Sequence, residues 1–182
     1  MIEVRGFLRE ATSALHRELD AMVGVFSSRD DYARFLQGTF RHRAPVETAL
    51  QAVVVTPRLS SQGRRLLPEL KADLADLAQP LPAVTPFSLP SDRASVLGAL
   101  YVLEGSALGA RVLVKSAHAL GFGSEFGARY LSAQAGSLDS WRALLAELDG
   151  LERPEWEAAA RASRAIFAHA IEAFRSEEFA AA

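Results

Sequence analysis

The chain of 182 residues is 49% hydrophobic and 23% charged, which suits one globular domain with a sizeable core and calls for no second domain. A formal net charge of -2 and a pI near 6.1 argue against a nucleic-acid-binding module, which needs a strong basic excess on one face or arm. The absence of cysteine excludes a disulfide framework, a thiolate metal site, a catalytic thiol and an iron-sulfur cluster.

At the N-terminus, MIEVRGFLREAT lacks the apolar core of a signal peptide. No apolar run approaches the roughly twenty residues that span a bilayer, so the expectation is a cytoplasmic protein with no membrane partner. The first helix contains LREATSALHRELD, Leu8 to Asp20. Leu8, Ala11, Leu15, Leu19 and Met22 form an apolar stripe, and Thr12, His16 and Asp20 form a second line at four-residue spacing beside it. His16 therefore flanks the core face, either as a core imidazole satisfied by one hydrogen bond or as a ligand pointing into a cavity.

A second helix starts near Asp30 behind the capping residues of SSRDD, with Tyr32, Phe35, Leu36 and Phe40 at helical spacing. Pro45 kinks or ends it, so VETALQAVV is its continuation or a short neighbour. LSSQGRRLLPELKADLADL reads as another helix, with leucines at 66, 67, 70, 74 and 77, and the proline-rich QPLPAVTPFSLPSD is the one clear loop. Ser91 and Asp92 cap the longest helix, from about Arg93 to Leu120, ending at Gly121. SLDSWRALLAELDG gives a short amphipathic helix, and Pro154 opens a last long one through Phe179. With no alternating pattern of strand length and no internal repeat, the fold class is all-α.

The longest helix has glycines at 98, 105 and 109 in its interior. Each costs about 1 kcal/mol relative to alanine, so something offsets roughly 3 kcal/mol. Close helix packing through small residues is one explanation. The other is that the backbone approaches a large flat ligand, with a kink opening the helix over it. A helix presenting an imidazole on one side and a glycine-softened helix on the other would sandwich haem, leaving one axial position open for oxygen chemistry.

These two segments resemble the haem oxygenase family. LREATSALHRELD is similar to its proximal helix, of the form L-x-x-A-T-x-x-x-H with an acidic residue four positions on. YVLEGSALGARVL is similar to its glycine-containing distal helix, in the version of the bacterial enzymes associated with phytochromes. The resemblance spans almost the whole length and implies a single-domain haem-oxygenase-like helical bundle over residues 1–182. It implies His16 as proximal iron ligand, Asp20 as the acid that fixes its tautomer, and Thr12 beside them in the cofactor-binding motif. Arg9 and Arg142 correspond to propionate partners; the next basic position of the family is Ala146 here. Gly105 and Gly109 match distal glycines, and Phe167 and Phe174 match aromatic positions lining the pocket.

Two departures stand out. Ser106 occupies the place of an aspartate that orders proton-delivering water in mammalian-type members, and a hydroxyl orients water without serving as a proton reservoir. Ala110 replaces a further distal glycine. Among the other histidines, His42 in RHR is expected on a solvated face, His118 near a helix C-terminus where a cation is favoured, and His169 on the last helix, buried or exposed. Glu104 beside Gly105 lacks the Glu-x-x-His spacing of a di-iron site.

The implied activity is cleavage of haem b, both cofactor and substrate, at a meso carbon to biliverdin, carbon monoxide and ferrous iron. It requires O2 and electrons from a separate reductase or ferredoxin, with a bacterial phytochrome as one acceptor of the biliverdin. The competing reading is a haem-binding or scaffold-only member of the fold. The thiamin-degrading enzyme of similar architecture is excluded by its need for a catalytic cysteine.

Overall fold

The computed structural model describes residues 3–53, 65–136 and 138–175. Among the described residues seven α-helices follow in order: α1 (Val4–Val23), α2 (Arg29–Ala52), α3 (Leu67–Asp76), α4 (Arg93–Ala119), α5 (Arg129–Ala135), α6 (Leu138–Asp149) and α7 (Trp156–Arg175). A 3-10 turn, Arg153–Glu155, leads into α7, so Pro154 opens that turn and the α-helix itself starts two residues later. The segments expected as helix at 59–64 and around Phe179 lie outside the described residues. Among the described residues no strand forms; the extended pairing is limited to two isolated bridges, from Gly123 to Phe126 and to Gly127, in the turn after α4.

Local chemistry accounts for most of the boundaries. Ser28 accepts the amide of Asp31 to start α2, and Asp92 accepts that of Ser95 to start α4. Pro45 leaves α2 unbroken, so VETALQA continues the helix instead of forming a neighbour. Past Leu120, which caps α4, Gly121 takes a positive φ of 89° that reverses the chain. The short α5 has no local side-chain cap. Its first amides are satisfied from α3, where Asp73 accepts the amides of Arg129 at 3.0 Å and Tyr130 at 2.8 Å.

The packing is organised around α7. Both α1 and α4 lie along it, α2 crosses it, and α5 and α6 pack on α4. By length and composition alone α4 could cross a bilayer, contrary to the sequence expectation of no such run. Its apolar character is matched by its place as the central helix, with Leu97, Ala99, Leu100, Leu103 and Ala107 buried. The tightest crossing is between α4 and α7. There a Cβ on Gly98 would come within 2.1 Å of the Ala159 carbonyl oxygen, and Ser163 Oγ stitches the helices by donating to Gly98 O at 2.8 Å and Ala159 O at 3.0 Å. Gly98 is thus a packing glycine.

Candidate functional site

Along α7 the two flanking helices can be placed in register. On α1, Phe7 meets Trp156, His16 meets Phe167, and Glu18 pairs with Arg175. On α4, Gly98 lies against Ala159, and Leu103 shares a small apolar cluster with Ile166. His16 and the turn beginning at Leu103 therefore stand at a similar height along α7, opposite neighbouring residues of that helix. None of the substantial helix–helix contacts joins α1 to α4, although Val4 and Leu8 share a cluster with Leu97 and Leu100 at their N-terminal ends. Beyond Leu8 and Thr12 no residue of α1 is fully buried, and Leu15, Leu19 and Met22 are half-buried, so its apolar stripe is only partly covered by protein.

His16 is exposed and paired on its own helix. Its side chain is 60% exposed, and Nδ1 lies 2.8 Å from Asp20 Oδ2 one turn along the same helix. A carboxylate only accepts, so it holds the proton on Nδ1 and leaves the Nε2 lone pair directed away from the pair. The Phe167 ring, buried on α7, sits 5.5 Å from the imidazole, centroid to centroid, at an angle of 58° and limits its rotation. The two sequence alternatives for His16 are resolved against the core imidazole.

Across the way, α4 stays helical from Arg93 to Ala119 with no break at its glycines, so the expected opening of the helix is not seen. The glycines instead differ in their surroundings. A Cβ at Gly105 would meet the Trp141 ring at 3.5 Å, whereas at Gly109 nothing lies within 4 Å. Gly109 is bracketed by exposed Leu108 and Val112, which gives this face of α4 an uncovered apolar strip with backbone accessible at its centre. Ser106 Oγ donates to Leu103 O at 2.6 Å.

Arg9 is exposed on α1, close enough to Tyr101 on α4 that its charge opposes the rise that burial imposes on the phenol's pKa. Tyr101 in turn lies against Trp141 of α6, ring centroids 5.6 Å apart, and the next residue, Arg142, is exposed with Asp139 as its ion-pair partner at 3.2 Å. Arg9, Tyr101, Trp141 and Arg142 thus mark one rim, about two helical turns from His16 along α1. Haem fits this donor set: an exposed imidazole with one nitrogen held, an open apolar face at Gly109, and solvent-accessible guanidinium groups at one edge.

The other expected residues divide. Thr12 is buried, and its hydroxyl donates to Leu8 O at 2.8 Å, so it offers its helix no free polar group. Phe174 is not brought to His16; its ring lies over Gly38, where a Cβ would come within 2.6 Å, and 6.2 Å from Phe35. Tyr130 is buried beside Arg43, and His118 is exposed in the last turn of α4, as expected for a cation there.

His42 is a correction. It is buried, with Nδ1 3.1 Å from Nδ1 of His169, because α2 turns this part of its surface toward α7. Burial, His169 and Arg43 push its pKa down to about 3. Burial also lowers the pKa of His169, against a hydrogen bond that the imidazole donates to the Thr85 backbone, and Phe87 meets its ring edge-on at 5.1 Å. The sequence reading also missed a buried ion pair, Arg43 Nε to Glu47 Oε1 at 2.7 Å. Only the i,i+4 spacing of opposite charges hinted at it. A separate cleft lined by Arg29, Asp76, Phe122 and Phe126 includes none of the candidate site residues.

An all-helical fold that packs an exposed imidazole on one helix and an open glycine face on another along a third helix has the parts a haem-binding helical protein needs. Two curated relatives and a solved structure make that specific. The chain is 36% identical to "Heme oxygenase PigA" of Pseudomonas aeruginosa over 155 residues, 80% of this chain and 77% of that protein. It is also 36% identical to a "Heme oxygenase" of Xanthomonas campestris pv. campestris over 146 residues, 77% of this chain and 86% of that one. The NO- and CO-bound heme oxygenase of Neisseria meningitidis superposes with a TM-score of 0.77 at 26% identity, covering 97% of this chain and 92% of that one. No family model matches the chain. The chain belongs to the haem oxygenase family and is an enzyme of that activity.

Proposed function

We propose that the enzyme cleaves haem b at a meso carbon to biliverdin, carbon monoxide and ferrous iron, with His16 as the proximal iron ligand, and that electrons reach it from a separate reductase or ferredoxin. The observation that carries the reading is the exposed His16–Asp20 pair on α1 together with the open face at Gly109 on α4, both helices packed along α7. Haem supplies the iron that binds oxygen and the ring that is opened. The chain's own residues do the rest. Asp20 accepts from Nδ1 and orients the imidazole, directing Nε2 away from the pair, which suits a histidine-held iron site meant to activate oxygen without the electron push of a thiolate.

On the other side, Gly109 lets the α4 backbone approach the ring face, Gly105 leaves room for the Trp141 ring beside it, and exposed Leu108 and Val112 exclude water. The Neisseria enzyme's structure holds NO and CO; the corresponding face here is where a diatomic would be bound, with the Ser106 hydroxyl near it in place of a carboxylate. Arg9 and Arg142 suit the two propionates, fixing rotation of the ring and hence which carbon is presented. Phe167 packs beneath, and Thr12 contributes apolar surface. The distal segment's sequence supports a bacterial phytochrome as an acceptor of biliverdin, and residues 1–182 act as one domain in a cytoplasmic setting.

The test is turnover. Purified protein given hemin, O2 and a ferredoxin-reductase couple should lose its Soret band and yield biliverdin with release of carbon monoxide. A Soret band that persists unchanged under these conditions contradicts the reading.

A further inference from the structure

The carbonyl of Leu103, one turn before Ser106 and Gly105, is crowded with donors. As an interior carbonyl of continuous α4 it takes the amide of Ala107. Ser106 Oγ reaches back to it at 2.6 Å, and Gln134 Nε2 reaches it from α5 at 3.0 Å. A carbonyl oxygen has two lone pairs, so three donors compete for two good positions. The helical amide is fixed by the backbone. Gln134 is buried and is held at its other end by Arg43, whose Nη1 donates to Gln134 Oε1 at 3.0 Å.

Arg43 also sets which way that amide faces. A guanidinium only donates, so it requires the oxygen of the Gln134 amide and sends the nitrogen toward Leu103. Arg43 is itself clamped by Glu47, both side chains being 3% exposed. Burial opposes the guanidinium charge, but Tyr130 and Glu47 beside it hold its pKa above the ordinary value. The line runs from a buried ion pair on α2, through α5, to the turn of α4 that carries Gly105, Ser106 and Gly109. Of the three donors at its end, the serine hydroxyl is the one free to rotate away.

We infer that Gln134 is a positioning residue: by occupying the Leu103 carbonyl from behind, with its amide oriented by Arg43, it keeps that carbonyl partnered when the Ser106 hydroxyl, which donates to it at 2.6 Å in this structure, turns toward a ligand on the Gly109 face. This rests on the reading of that face as the oxygen-binding side of the haem. A serine can then serve where an acid is otherwise used, because a neighbour lowers the cost of turning its hydroxyl away from its own helix.

The test uses ferric haem-loaded protein and the pH at which its iron-bound water deprotonates, followed in the visible spectrum. A donated hydrogen bond favours the bound hydroxide and lowers that pH. Gln134→Met removes the competing donor, and Gln134→Glu removes it while keeping an oxygen for Arg43, so one of the two stays folded if burial of Arg43 without a partner unfolds the other. Each should raise the transition by about half to one pH unit, the worth of one net hydrogen bond. In a Ser106→Ala background neither should move it further. An unchanged transition, or an equal shift with and without the serine, overturns the inference. Failure of wild-type protein to bind hemin at all overturns it together with the functional reading, whereas binding with no Gln134 effect overturns the inference alone.

Discussion

Gly109→Ala separates the needs of the fold from those of the site. In a helix interior, alanine is favoured over glycine by about 1 kcal/mol. At Gly109 nothing lies within 4 Å of the new methyl, so no packing cost offsets that gain. The ligand-free variant should therefore be more stable by about 1 kcal/mol, which in a chain of this size raises Tm by about 2–4 °C. Gly98→Ala is the control with the opposite sign. Its methyl would sit 2.1 Å from the Ala159 carbonyl, so α4 and α7 must separate, at a cost of about 1–3 kcal/mol or more. If the face at Gly109 lies against the haem ring, the larger Gly109→Leu should bind hemin at least about tenfold more weakly, the equivalent of ~1.4 kcal/mol. Thermal melts followed by circular dichroism, with hemin titrations of the same preparations, make the comparison. A Gly109→Ala protein that melts lower than wild type, or a Gly109→Leu protein with undiminished hemin affinity, refutes the reasoning.

Acid should weaken the fold through His42. In the folded protein His42 protonates only at about 3, against 6.5 when unfolded, so the unfolded chain binds more protons throughout that window. Stability is full above the unfolded pKa and falls as pH drops toward the folded one; between about pH 7 and about pH 5 the loss from His42 is about 2 kcal/mol. His169, shifted in the same direction, adds to it. Urea unfolding at the two pH values checks this, and a wild-type midpoint that does not move, or moves as much in His42→Gln, contradicts it. Arg9→Gln and Arg142→Gln should each weaken hemin binding by up to about fivefold, because solvent-exposed ion pairs are worth no more than about 1 kcal/mol. Their effect should shrink in high salt; equal effects at low and high salt would show that the guanidinium charges do not hold the propionates.

What the sequence made legible follows from local chemistry. The i,i+4 step from His16 to Asp20 is a property of one helix and survives into the structure as a 2.8 Å contact. The caps at Ser28 and Asp92 are likewise carried by neighbouring residues. α5 was invisible because its N-terminal amides are satisfied by Asp73, more than fifty residues earlier in the chain. His42 and Arg43, in a segment that reads as polar surface, are buried because their partners come from α5 and α7. Composition alone could not tell the three glycines of α4 apart. Gly98 is explained by Ala159 and Ser163 on α7, Gly105 by contact with Trp141, and Gly109 by the open face around it.

The most direct measurement is the hemin titration of wild-type protein beside His16→Ala, read in the Soret region for both the ferric and the reduced, CO-bound forms. With His16 as the ligand, wild type gives a sharp one-to-one band of a histidine-coordinated haem. His16→Ala loses it, and added imidazole restores it. An identical band in His16→Ala without imidazole would place the iron on another side chain and remove the basis of the account.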